Sequence, residues 1–152
     1  NAPDRIEKLV LSNTNYHYAD KTPWNDRIKL VSEKGLGELV GPNMERWFTK
    51  DFRARAPQAI GRMTELFLTT KPAGYIACCE AIRDMDFTSS NPRIALPTLV
   101  IVGKHDPATP PSAGEAIQDQ IKGAKLVSLD AAHIANIEQP KAYTEAVLNF
   151  LH

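Results

Sequence analysis

The chain has 152 residues, 43% of them hydrophobic and 24% charged, which predicts one ordinary domain with a buried core. Eighteen basic residues balance eighteen acidic ones, so a nucleic-acid partner or an anionic lipid surface is not expected. No apolar run approaches the roughly 20 residues of a membrane span, and no signal peptide is visible, so we expect no membrane partner.

The N-terminal part predicts one strand followed by four short helices. Leu9-Val10-Leu11 is an apolar run without alternation, which is typical of a buried strand in a parallel sheet. From Thr22 to about Asp86 no convincing strand occurs, and prolines open several helices. The predicted helices begin near Thr22-Pro23, Leu36, Pro57 and Pro72.

Two adjacent cysteines, Cys78 and Cys79, lie in the fourth predicted helix. Neighbouring cysteines rarely bridge each other, and a metal site needs more ligands. We expect reduced, buried thiols, which agrees with a cytoplasmic protein.

The C-terminal part predicts a strand-helix-strand-helix order, which favours parallel strands joined by crossover helices. The strands are expected at Thr98–Val102 and Lys125–Leu129. One helix is expected at about Ser112–Ile121, and a last helix follows the loop Asp130–Pro140.

Each of these two strands leads into a residue capable of chemistry. Asp106 follows the first strand and His133 follows the second. An aspartate before proline is also a common turn residue, and a loop histidine often makes only structural hydrogen bonds. Together, however, an acid and then a histidine one strand-helix-strand step apart fit the order of a Ser-His-Asp triad. The serine motif of such a triad, G-x-S-x-G, does not occur in the 152 residues.

Several other residues compete for these roles. Asp130 is a rival acid, but its position three residues before His133 favours a cap of the following turn. His105 and His133 are two candidate ligands of a metal ion. No further ligand has a suitable spacing, so we expect no metal. Ser12 lacks the glycines of a nucleophile turn, and Ser112 is placed like a helix cap.

The chain resembles the C-terminal half of an α/β-hydrolase, and within that superfamily the 3-oxoadipate enol-lactonases of aromatic degradation. The segments that show the resemblance are APDRIEKLVLSNT (2–14), ERWFT (45–49), GYIACCEAIRDMD (74–86), PTLVIVGKHDPATPP (97–111) and DAAHIANIEQP (130–140). The G-x-H-D-x-x-T-P and A-A-H motifs are shared by many α/β-hydrolases. The G-Y-x-A-C-C and N-x-E-Q-P motifs indicate the lactonases.

The resemblance implies a fold and a division of the chain. It implies the sixth strand of a hydrolase core at 1–20, a helical cap at 21–88, and the rest of the core, with strands seven and eight, at 89–152. About five strands, the serine and both oxyanion-hole amides would then lie outside this chain. We therefore expect either a separate N-terminal half as a partner, bound through an apolar interface above roughly 2,000 Å², or an N-terminal half that is missing.

The resemblance also implies an activity. Asp106 would be the triad acid and His133 the base in hydrolysis of 3-oxoadipate enol-lactone, a small-molecule substrate, without any cofactor. Trp47 and Trp24 are candidates for pocket walls, although tryptophans at helical spacing are more often core residues. Arg46 is a candidate donor to a substrate carboxylate, although a solvated charge is the more common role.

Two other functions remain open from the sequence. Another α/β-hydrolase, such as an esterase, C–C hydrolase, epoxide hydrolase or dehalogenase, would show the same acid and histidine. A hydrolase half without a nucleophile could instead be a non-catalytic binding module.

Overall fold

The computed structural model describes residues 5–152, which form two compact units. The first unit combines the chain up to Tyr16 with Phe87–His152, and the second unit is His17–Asp86. Residues 1–4, with which the resemblance and the predicted segment 1–20 begin, lie outside the described residues. The second unit is thus an insertion between two parts of the first.

The elements follow one another as a strand, five helices, and then alternating strands and helices. The strands are β1 (Leu9–Ser12), β2 (Thr98–Gly103) and β3 (Lys125–Leu129). The helices are α1 (Thr22–Lys34), α2 (Val40–Trp47), α3 (Lys50–Arg55), α4 (Pro57–Leu68), α5 (Pro72–Asp84), α6 (Pro111–Gln120), α7 (Ala135–Glu138) and α8 (Pro140–Leu151). Single 3₁₀ turns lie at Gly37–Leu39 and Asn91–Arg93.

The first unit contains a parallel three-stranded sheet in the order β1-β2-β3. Val10 pairs with Leu99, and Ile101 pairs with Val127. The predicted α/β class, with parallel strands and crossover helices, is confirmed.

Strand β2 forms the centre of the core because both of its faces are covered. Leu99 and Ile101 pack in one cluster with side chains of α8, and Val100 and Val102 pack in another with Ile117 of α6 and Ile121 just after it. Successive side chains of a strand point to opposite faces, so an unbroken apolar run is what a doubly covered strand requires. Gly114 lets α6 approach closely, since a Cβ there would lie 2.2 Å from Val102 Cγ1.

Strand β1 is less buried than its apolar sequence predicts. All four of its residues are half-buried, whereas all six residues of β2 are buried. Within residues 5–152, β1 pairs with β2 alone, so one edge of β1 has no neighbouring strand there. The prediction of a buried strand is therefore wrong for these residues.

The second unit contains five α-helices, and the prediction of four was wrong. The additional helix is α3, whose six residues are too few to show an apolar period. Its N-terminus is capped by Thr49, whose Oγ1 accepts a hydrogen bond of 3.2 Å from the Phe52 backbone N–H. Val31, Leu36, Leu39 and Phe67 form one buried cluster of this unit.

The two cysteines differ in exposure, which corrects the prediction that both are buried. Cys79 is buried in α5, whereas Cys78 is exposed, and both thiols are free. Adjacent helical residues lie about 100° apart around the helix axis, so one of the two can face solvent while the other is buried. In the described part of the chain, no helix is both long and apolar enough to cross a membrane.

The two ends of the insertion lie next to each other. The Phe87 N–H donates a hydrogen bond of 2.9 Å to the Tyr16 carbonyl oxygen within the first unit. Within the second unit, His17 and Asp86 form an isolated antiparallel bridge. The chain therefore leaves and re-enters the first unit at adjacent residues.

Candidate active site

Asp106 and His133 meet beyond the carboxyl ends of β2 and β3. Asp106 Oδ2 and His133 Nδ1 are 2.8 Å apart. The carboxyl ends of parallel strands lie at one edge of a sheet, which is where open α/β folds bind ligands. The residues that the sequence proposed as acid and base are thus in direct contact.

The Asp106 carboxylate is almost fully buried and is held by donors of its own loop. The residue is 3% exposed. Its Oδ1 accepts hydrogen bonds from the backbone N–H groups of Ala108 (2.8 Å) and Thr109 (2.9 Å), and its Oδ2 accepts one from Thr109 Oγ1 (2.7 Å). The ion is therefore positioned before any ligand arrives.

Burial raises the pKa of Asp106, but hydrogen bonds from His133 and Thr109 outweigh it and lower that pKa to about 2. The group is therefore a carboxylate at neutral pH. An ionised carboxylate only accepts hydrogen bonds, so the proton between the two side chains resides on His133 Nδ1.

His133 keeps an accessible ring edge. Its side chain is 23% exposed, although the Asp106 side chain beside it is fully buried. With the proton on Nδ1, a neutral imidazole presents the lone pair of Nε2. This arrangement provides a general base whose tautomer is fixed by the acid behind it.

A buried carboxylate holds the peptide ahead of His133. Glu138 is 4% exposed, and its Oε2 accepts a hydrogen bond of 3.0 Å from the Ala132 N–H. This contact of Glu138 was not predicted from the sequence. Glu138 is the acidic residue of the N-x-E-Q-P motif, but the motif gave it no role, and only the folded loop brings it to Ala132.

The end of β2 passes very close to the histidine loop. The His105 N–H donates a hydrogen bond of 3.0 Å to the Ala131 carbonyl oxygen. A Cβ on Gly103 would lie 2.3 Å from the carbonyl oxygen of Ala132 and 2.6 Å from that of Ala131. Only glycine fits this contact, which sets the separation of the two loops.

Asn13, the residue after β1, also contacts this pair. Its side-chain Nδ2 lies 3.1 Å from Asp106 Oδ2 and 3.2 Å from the Ala132 carbonyl oxygen. Its backbone φ is 45°, a left-handed conformation. The sequence offered one signal that was not used, namely that Asn13 follows a strand parallel to β2 and β3.

The competing residues make other contacts. Asp130, expected as a turn cap, pairs instead with His105, with 2.8 Å between Oδ1 and Nε2, and both side chains are exposed. Ser12 Oγ donates to Asn13 Oδ1 at 3.0 Å. Ser112 is not the expected cap, because Pro110 occupies the N-cap position of α6.

The three proposed substrate-binding residues belong to the second unit. Trp47 is half-buried and packs edge-to-face on Phe67, with ring centroids 5.6 Å apart. Trp24 is half-buried beside Tyr18, with centroids 5.3 Å apart, and Arg46 is exposed on α2. Among residues 5–152, no group of three or more His, Cys, Asp or Glu side chains is placed to hold a metal ion.

Comparison with known proteins agrees with the class that the parallel sheet and the acid–histidine pair define. Residues 77–152, half of the chain, match the α/β-hydrolase family model described as TAP-like protein. The chain belongs to the α/β-hydrolases.

The similar proteins include two enol-lactonases and an esterase. The chain is 33% identical to 3-oxoadipate enol-lactonase 2 of Acinetobacter baylyi, over 95% of this chain and 54% of that protein. It is 38% identical to the enol-lactonase of Burkholderia xenovorans LB400, with a TM-score of 0.95 over 97% of this chain and 57% of that one. A thermophilic esterase from Thermogutta terrifontis is 27% identical, with a TM-score of 0.90 over 98% and 57% of the respective chains. The chain thus spans about half the length of these relatives.

Proposed function

We propose that the protein to which this chain contributes is a carboxylic-ester hydrolase that acts on a lactone. The observation that supports this most directly is the 2.8 Å contact between buried Asp106 and partly exposed His133 at the ends of neighbouring strands. A fixed tautomer with an open Nε2 suits proton transfer to and from an acyl centre.

The nucleophile of the proposed reaction is a serine outside these 152 residues. His133 Nε2 takes the hydroxyl proton as the oxygen attacks the lactone carbonyl, and Asp106 holds the ring and stabilises its positive charge. The ring-opening enol oxygen leaves and receives the proton from His133, after which the enol becomes a ketone. Water activated by His133 then hydrolyses the acyl-enzyme. No step requires a cofactor.

The proposed substrate is 3-oxoadipate enol-lactone. Support comes from the names of the A. baylyi relative and the B. xenovorans structure, both enol-lactonases. Trp47 and Trp24 remain proposed pocket walls, and Arg46 remains a proposed donor to the substrate carboxylate. The proposed partner is a polypeptide that supplies the serine and the oxyanion hole.

Intact mass spectrometry of the purified protein, first native and then denaturing, is the first test. A second polypeptide released only on denaturation would identify the partner. Lactone hydrolysis by the complex of this chain and that polypeptide is then measured as the decrease in the lactone's absorbance. A single 16.8 kDa species without hydrolysis would overturn the proposal for this chain.

Variants of the pair test the assigned roles in the same assay. His133→Ala and Asp106→Asn should each lower kcat by about 10⁴-fold, because either change removes the oriented base. The matched controls, His152→Ala and Asp119→Asn, change exposed residues of the same types and should retain the parental rate. Equal activity of His133→Ala and its control would exclude His133 as the base.

An acyclic-ester hydrolase is the second candidate, because the likeness to the T. terrifontis esterase also covers nearly the whole chain. The ratio of kcat/KM for the enol-lactone to kcat/KM for a short p-nitrophenyl ester distinguishes the two. A ratio far above one favours the lactonase, and a ratio below one favours the esterase. Binding of the lactone without turnover would indicate a non-catalytic module.

A further inference from the structure

We propose that Asn13 is a positioning residue that fixes the Asp106 carboxylate and the peptide ahead of His133 relative to each other. This inference rests on the function proposed above, since it assigns Asn13 to the same acid–base pair. Asp106 and His133 follow strands β2 and β3. Asn13 follows β1, the remaining strand of this sheet, and has no part in the proposed mechanism.

The side-chain amide of Asn13 makes a specific set of contacts. Its Nδ2 donates to Asp106 Oδ2 (3.1 Å) and to the Ala132 carbonyl oxygen (3.2 Å). A carboxylate and a carbonyl accept only, so the amide nitrogen must face them. Ser12 Oγ, 3.0 Å from Asn13 Oδ1, occupies the other end of the amide. All three contacts therefore require the same orientation of the Asn13 side-chain amide.

These contacts differ from the other hydrogen bonds of Asp106. The donors Ala108 and Thr109 lie two and three residues further along the same loop, so they move with Asp106. Asn13 comes from a strand 93 residues away and also binds Ala132, which precedes His133 directly. One amide thus ties the acid to the loop of the base, independently of the acid–base hydrogen bond itself.

The backbone of Asn13 supports the same conclusion. Its N–H donates to the Ile101 carbonyl oxygen at 2.9 Å, which continues the pairing of β1 with β2. At φ 45° the chain then turns into the left-handed region. Residues with a side chain adopt this region at a cost, and asparagine at less cost than most. Glycine would satisfy the backbone, so the turn alone does not require the amide.

Two variants separate the amide from the turn. Asn13→Gly keeps the left-handed backbone and removes the donor. Asn13→Asp tolerates the same backbone but directs a carboxylate at Asp106. The matched control is Asn15→Gly, because the Asn15 side chain binds the neighbouring Tyr16 N–H at 2.8 Å and belongs to no part of the proposed site.

The purified protein is measured in two ways after a cooperative melt has shown that each variant folds. The first is kcat and KM for the lactone, where both Asn13 variants should lower kcat by about tenfold and leave KM within twofold. The second is the proton resonance of His133 Nδ1–H, which should broaden in both variants because the pair is held less firmly. Asn15→Gly should change neither.

The outcomes separate this inference from the proposed function. Parental kcat and a sharp Nδ1–H resonance in either folded Asn13 variant would show that Asn13 is only a turn residue. A broadened resonance without lactone hydrolysis in any form would leave the positioning role standing and refute the substrate. If Asn13→Gly fails to fold, the turn needs the amide for stability, and Asn13→Asp then decides the positioning role by the same resonance.

Discussion

Replacing Gly103 with alanine should separate the acid from the base. The added Cβ would lie 2.3 Å from the Ala132 carbonyl oxygen, so the loop must move by about 0.7 Å before that contact reaches even 3.0 Å. Ala132 is bonded to His133, whose Nδ1 is 2.8 Å from Asp106 Oδ2. A rigid shift of the loop would lengthen this contact to about 3.5 Å, the limit of a hydrogen bond.

From the same shift we expect a change in the free energy of unfolding and a change in kcat. Overpacking against backbone atoms should lower the free energy of unfolding by about 2 kcal/mol, measured by urea denaturation. Misplacement of the base by this distance should lower kcat by about 100-fold in the lactone assay.

A glycine with open space provides the control for Gly103→Ala. Nothing lies within 4 Å of a Cβ built on Gly61, in the interior of α4. Gly61→Ala should therefore stabilise the protein, by about 0.5–1 kcal/mol, because alanine is the better helix former. If Gly103→Ala keeps the parental stability and kcat, the close approach does not set the geometry of the pair, and the reasoning fails.

Two further predictions concern pH and a helix cap. The folded pKa of Asp106, about 2, lies below the ordinary 3.8, so its stabilisation is complete above about pH 4 and is lost as the pH falls from 3.8 to 2. The difference in unfolding free energy between the parent and Asp106→Asn should therefore shrink by about 2 kcal/mol over that range, and a constant difference would contradict this. Thr49→Ala should cost about 1 kcal/mol by losing the bond from Phe52 N–H, whereas Thr49→Ser should retain it; equal losses would argue against the cap.

The sequence indicated Asp106 and His133 as a candidate acid–base pair because strand ends can be located from sequence, whereas their contact is seen only in the fold. Asp106 and His133 each follow an apolar run, and parallel strands bring their carboxyl ends to one edge. Asn13 and Glu138 were not predicted, because their contacts depend on register and loop packing rather than on local pattern. Asn13 reaches Asp106 across 93 residues, a distance over which no periodicity extends.

The number of helices in the second unit was underestimated for a related reason. Helical periodicity needs several turns before it is distinguishable, and α3 has six residues. The available signal was Thr49 at the N-cap with Asp51 in the first turn. The half-burial of β1 likewise depends on what pairs with its second edge, which its own four residues do not encode.

The adjacent ends of the insertion affect stability through chain entropy. His17–Asp86 are 70 residues that connect neighbouring strands β1 and β2. If these residues unfolded alone, they would form a flexible loop between two paired strands, whose closure costs roughly 4 kcal/mol. When the insertion is folded, its ends already lie together, with Tyr16 bonded to Phe87 and His17 bridged to Asp86. A substitution that unfolds the insertion is therefore expected to lower the stability of the β1–β2 pairing through loop entropy alone.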